Sequence, residues 1–296
     1  MSRRFVLACL TLLFACLLAS EARAQLQVSM KIPRRLYMAY EPLIATISIT
    51  NLTGHDITLA DEDTKHWFGF QVTTDEDRII PPRDPNYHLE PLTIPNQQTV
   101  KRSVNLVSLF PVTDFGLYRV RANVYFSEMN RYFSSLPGSV EISEGRTLWQ
   151  QSVGVPAGEQ GAGSYRLFEL LSFRQPKDNM LYVRVQDKDA GIVYATYPLG
   201  RLISGDEPQM QLDDRNQLHV FQLIGPKTFV YSRIGLNGQW LGQITYNELK
   251  TRPRLKRLAS GKVDVVGGEM DVPIAQRADA PPAPKLSDRP VEMPTR

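Results

Sequence analysis

Cysteine is almost missing from this 296-residue chain: it has two, Cys9 and Cys16, and both fall within the first 24 residues. Thiol chemistry, cysteine–zinc sites and a disulfide framework are therefore excluded from everything that follows. Also missing are the local signatures of common catalytic machinery. There is no Gly-x-Ser-x-Gly elbow, no His-Glu-x-x-His pair and no phosphate-binding P-loop. The glycine-rich run Gly158-Glu159-Gln160-Gly161-Ala162-Gly163 is not placed between a strand and a helix start, so it lacks the setting a phosphate cradle needs. A basic field is absent too. Arg3, Arg4 and Arg23 against Glu21 carry two of the three net positive charges, leaving +1 on the remainder. That balance gives no expectation of nucleic acid as a partner.

What is present begins with the N-terminus. Arg3 and Arg4, the apolar stretch 5–19 and Ala22-Arg23-Ala24 read together as a secretory signal peptide over 1–24, cut after Ala24. The apolar stretch is short of the roughly 20 residues that span a bilayer. Leu13-Phe14-Ala15-Cys16 is a looser match to a lipoprotein site, and the Ala24 site is preferred. The expectation is an exported, periplasmic or extracellular protein with no membrane span after cleavage.

The clearest pattern in the chain is 115–126. Tyr118, Val120, Ala122, Val124 and Phe126 fall on one face, with Arg119, Arg121 and Asn123 on the other. A period of two with one apolar face predicts a half-buried antiparallel strand. Further strands are expected at 43–50, 57–59, 67–72, 89–94, 100–106 and 140–142. Seven short strands separated by turn residues predict a β-sandwich over 25–144. Tyr118 is expected to turn its hydroxyl back to the backbone and pin a corner, and Trp67 to anchor the core. Asn51-Leu52-Thr53 matches a glycosylation acceptor and is read as a turn.

The motifs Y-x-x-x-E-P-L (Tyr37 to Leu43), I-T-N-L-T-G (Ile49 to Gly54), W-F-G-F-Q-V (Trp67 to Val72) and G-L-Y-R-V (Gly116 to Val120) resemble those of bacterial immunoglobulin-like domains. Within these they are similar to the intracellular proteinase-inhibitor sandwich family, over about 100 residues. The resemblance implies an immunoglobulin-like fold and, as a third functional option, proteinase inhibition. It supplies no inhibitory residue.

Residues 145–164 are rich in glycine and read as a linker, with Trp149 packing on one module. Beyond it lies an internal repeat. Leu181, Val183, Val193, Tyr194 and Leu199 recur 37 positions later as Leu218, Val220, Val230, Tyr231 and Leu236. Each copy predicts two strands joined by a polar turn, and 254–266 suggests a partial third. The period resembles that of propeller blades. Two and a half copies cannot close a propeller, so a continuous antiparallel β-meander over 165–267, curled into a partial barrel or folded sandwich, is expected. The Pro- and Ala-rich segment 268–296 reads as a disordered tail.

The fold class is thus all-β. The oxygen-rich clusters that invite a metal are Asp61 and Asp63, Asp75 and Asp77, and Asp213 and Asp214. The first two flank one strand, about 3.3 Å per residue apart along it, too far to share an ion. Solvated turns account for all three, and no cofactor is expected. His55, His66, His88 and His219 show no metal spacing, and His219 is expected at a surface or an interface. The function these features favour is a non-enzymatic binding or scaffolding protein of the cell envelope, recognising a protein or glycan. A glycosidase-like hydrolase, its carboxylates converging only in three dimensions, is the alternative.

Overall fold

The computed structural model describes residues 26–271 and the short strand Val291–Glu292. The expected signal peptide and most of the expected tail lie outside these residues. The described chain is nearly all β, and none of its helices is long and apolar enough to cross a membrane.

The first module contains β1 (Leu26–Lys31), β2 (Leu36–Met38), β3 (Ile44–Asn51), β4 (Ile57–Leu59), β5 (Phe68–Thr74), β6 (Ile79–Ile80), β7 (Leu92–Ile94) and β8 (Thr99–Asn105). A helical turn α1 (Leu106–Leu109), β9 (Gly116–Phe126), β10 (Arg131–Ser134) and β11 (Gly138–Ser143) complete it. One sheet runs β1-β3-β8. A second runs β2-β11-β9-β5-β6, with β10 also on β9, and β4 pairs with β7 apart from both. All pairs are antiparallel except β2 with β11. The two sheets close on one core, to which β3 gives Ala45, Ile47 and Ile49 and β9 gives Tyr118, Val120, Ala122, Val124 and Phe126. Alternate residues of β9 point into this core as the period of two requires. Trp67 is buried and donates its indole N–H to the Leu89 carbonyl at 3.0 Å. The Tyr118 hydroxyl donates to the Asp114 carbonyl at 3.0 Å. Asn51 is fully buried, its amide donating to the His55 and Ile94 carbonyls at 2.7 and 2.9 Å, which makes it a turn anchor.

The stretch expected to be a linker is ordered structure. Residues 146–154 form β12 (Arg146–Gly154), paired along its length with β13 (Tyr165–Arg174). Its polar composition belongs to an exposed edge strand, which is why it reads as a connector. Trp149 on β12 packs against the second core. The glycine-rich remainder folds over the buried Arg166, whose guanidinium pairs with Asp187 at 2.9 Å, donates to Asn237 Oδ1 at 2.8 Å and stacks on the Tyr194 ring at 4.3 Å.

The expected meander is divided into two sheets, as the folded-sandwich form of that expectation requires. β12, β13, β14 (Asn179–Asp187) and β15 (Ile192–Arg201) form one sheet, joined by Val291–Glu292. β16 (Gln209–Leu212), β17 (Leu218–Gly225), β18 (Thr228–Ile234), β19 (Trp240–Asn247) and the short β22 (Glu269–Met270) form the other. A hairpin of β20 (Arg254–Arg257) and β21 (Val263–Val266) lies apart from both. The repeat-related pairs Leu181 and Leu218, Val183 and Val220, and Leu199 and Leu236 all enter the same core. Equivalent residues of stacked blades would point the same way; here they point at each other. The two copies are folded face to face as a sandwich.

The modules share a boundary. Met38 packs with Leu171, Phe173 and Tyr182. Beside them Glu41 is buried, accepting from the Met38 N–H at 2.8 Å and pairing with Arg34 at 3.1 Å. Burial pushes the Glu41 carboxyl above its ordinary range, against the pull of Arg34. Arg184 crosses the same boundary to the Ala39 carbonyl and to Glu144, each at 3.0 Å.

Candidate functional site

Strand β5 is fully paired on one side and half-paired on the other. Phe68 to Thr74 run in register with β9, whereas β6 reaches only Val72 and Thr73. Pro81 and Pro82 follow β6 directly. Proline has no N–H to donate, so the ladder cannot extend. The Trp67 carbonyl accepts from the Tyr125 N–H at 2.7 Å. In an antiparallel ladder the main-chain groups alternate sides, so those of Trp67 and Gly69 face β9. Those of Phe68 and Phe70 face the open edge, where no strand among the described residues pairs with them.

The chain beyond Pro82 stands off from that edge. The Arg83 N–H bonds the Leu109 carbonyl at 2.7 Å, and Asp84 Oδ1 caps the Asn86 N–H at 2.9 Å. Between this loop and β5 lies a cleft of about 270 Å³. Phe68, Phe70, Phe110, Tyr87 and Tyr132 give it five rings. Phe70 stands edge-on to Phe68 and to Phe110, with centroids 5.1 and 6.3 Å apart, the arrangement the ring quadrupoles favour. Gly69 lies in the lining with an ordinary negative φ, and a Cβ built there meets nothing within 4 Å. Its missing side chain therefore keeps the cleft open without satisfying any backbone need.

Polar groups line the same cleft. His66 donates from Nδ1 to Asp61 Oδ2 at 2.9 Å, while Asp61 Oδ1 accepts the Trp67 N–H at 2.8 Å. Burial works against the charge on Asp61, but these two bonds outweigh it and hold the carboxyl below the usual range. With Nδ1 engaged, Nε2 is the nitrogen His66 offers to a ligand. Asn123 takes the Ser134 hydroxyl on its oxygen at 2.7 Å, which orients its amide as a donor. Asp84 is the one carboxylate in the lining. Glycoside hydrolysis uses two carboxylates flanking the bond, and this cleft does not supply such a pair.

The acids singled out in the sequence have other duties. Asp61 holds His66 and Trp67 as described. Asp63 and Asp77 both sit at positive φ in turns, and Asp77 pairs with Arg119 at 2.7 Å. Asp75 is exposed in the turn after β5, at the far end of that strand from Asp61 and Asp63. Asp213 Oδ1 accepts the N–H groups of Arg215 and Gln217, both at 2.9 Å, and Asp214 lies against Gly261. No group of three or more His, Cys, Asp or Glu side chains placed to hold a metal occurs among the described residues.

His219, expected at a surface or an interface, is buried inside the second module. It lies between β17 and the hairpin β20–β21, stacked on Tyr231, with Nδ1 against the Tyr231 hydroxyl at 2.5 Å and Nε2 against Asp213 Oδ2 at 3.1 Å. Burial lowers its affinity for a proton, and burial likewise raises Tyr231 to about 12. The cleft beside β5 has one local marker in the sequence, the Pro81-Pro82 pair straight after an apolar dipeptide. Comparison of the chain with family models, with curated proteins and with solved structures finds no match.

Proposed function

We propose that this chain is an exported, non-enzymatic binding protein of the cell envelope that holds a protein or glycan partner in the cleft beside β5. The observation that carries the reading is the convergence of five aromatic rings, His66 Nε2 and the Asn123 amide on one concavity whose floor is kept open by Gly69. Apolar walls with a few oriented polar groups are the usual composition of a binding pocket. Export rests on the arrangement of residues 1–24.

The test places a photo-crosslinking side chain at position 64, exposed at the rim of the cleft, and at position 101, exposed on β8 in the opposite sheet. The full chain with its own leader is expressed in cells and irradiated. A defined envelope component captured from position 64 and not from position 101 is the expected result. Equal capture from both positions, or none from position 64, ends the proposal.

A further inference from the structure

We infer that the occupant of the cleft is an extended polypeptide segment, added as a strand along the free edge of β5. The inference rests on the reading of the cleft as a binding site and narrows its partner to a peptide chain.

The main chain of β5 carries it. Phe68 and Phe70 each turn one N–H and one C=O toward the cleft, on the side where β6 has stopped. Two residues of strand rise about 6.6 Å, so these donors and acceptors recur at the spacing of alternate residues in another extended chain. Peptide backbone matches that repeat group for group; a sugar ring does not. The side chains agree. Phe68 and Phe70 point toward the core side, where Phe110 meets them, so every second residue of an added strand would face apolar rings. On the outer side Gly69 offers no Cβ, which leaves the intervening residues free of a clash. Exposed edges are usually blunted by charge, proline or a covering loop. Here Pro81 and Pro82 end the β6 pairing, and the following loop stands opposite β5 as a second wall rather than lying on it. The predicted ligand is a short segment with apolar residues at alternate positions and no proline at those that bond Phe68 or Phe70.

The experiment offers the full chain a phage-displayed library of random octapeptides and, separately, soluble peptidoglycan fragments. A selected peptide is then synthesised and titrated by fluorescence anisotropy, with amide hydrogen exchange followed at Phe68 and Phe70. Three results are expected together. Exchange at those two amides slows at least tenfold. N-methylation of alternate peptide amides weakens binding at least tenfold in one phase and little in the other. Gly69→Val weakens binding at least tenfold while its thermal unfolding matches the parent's. Selected peptides that bind indifferently to N-methylation, or that leave the two amides exchanging freely, overturn the inference. If peptidoglycan fragments bind, are lost with Gly69→Val, and no peptide is selected, the polypeptide inference falls and the binding-cleft reading stands. If neither probe binds, both fall.

Discussion

The hydroxyl of Tyr182 donates to Glu41 Oε2 at 3.0 Å across the boundary between the two modules. The Tyr182 hydroxyl oxygen itself accepts from Arg34 Nη1 at 3.2 Å and from Gln175 Nε2 at 3.1 Å. One phenol thus closes a network that draws on both halves of the chain, next to the apolar contact of Met38 with Leu171 and Phe173. Tyr182→Phe keeps the ring and takes one hydrogen bond from each of three partners, one of them a buried carboxylate. The expected loss is about 1.5–3 kcal/mol, the range for bonds to charged groups. Urea unfolding measures it, and a midpoint equal to the parent's would show that the hydroxyl adds nothing.

Within the first module, Tyr118 is the corresponding corner. Its hydroxyl reaches back four residues to the Asp114 carbonyl, a neutral bond at a half-buried site. Tyr118→Phe should therefore cost about 0.5–1.5 kcal/mol, less than Tyr182→Phe. The two variants measured side by side in the same denaturant series test the ranking, and a larger loss at Tyr118 would reverse it.

Tyr118 was legible in the sequence because everything it does is local: its strand alternates and its acceptor lies four residues away. The repeat was legible for a similar reason, since Leu181 and Leu218 stand at a fixed spacing. Which of its two expected forms the meander takes was not, because the polar side of β14, Arg184 and Gln186, is itself buried and marks no solvent face. His219 was misplaced because the hairpin that covers it begins some 35 residues later in the chain, and only tertiary packing brings it there. The cleft was missed because an open edge is defined by what fails to pair. Pro81 and Pro82 stop a ladder, but the path of the following loop depends on a bond from Arg83 to Leu109.

The glycine-rich loop over Arg166 makes a paired prediction. Gly161 and Gly163 share nearly the same backbone, with φ of +84° and +87°. A Cβ at Gly163 meets nothing within 4 Å, whereas one at Gly161 would lie 2.5 Å from Arg166 Nη2. That guanidinium is tied to Asp187, Ser164 and Asn237 and has nowhere to withdraw. Gly163→Ala should cost only the left-handed backbone penalty, about 1–2 kcal/mol. Gly161→Ala should cost measurably more, the excess reporting the clash. Equal losses in a chemical denaturation series would show that the loop yields around the methyl group.

Acid should act on the second module through His219. The neutral imidazole accepts the Tyr231 hydroxyl on Nδ1 and donates from Nε2 to Asp213, so a second ring proton would have to displace the tyrosine's. Burial is the main reason its proton affinity is lowered; Asp213 and Asp264 pull the other way, and Arg233 adds to the lowering. A histidine whose folded pKa lies below its unfolded value of about 6.5 binds more protons when unfolded. Its stabilisation is complete above that value and is lost as the pH falls through it. Asp213, held below the ordinary carboxylate range by its hydrogen bonds against the effect of burial, adds a second loss at still lower pH. The melting temperature is therefore expected to drop between about pH 7.5 and about pH 5.5, and His219→Gln should flatten that part of the curve. A variant whose pH dependence between these limits overlays the parent's would remove His219 from the account.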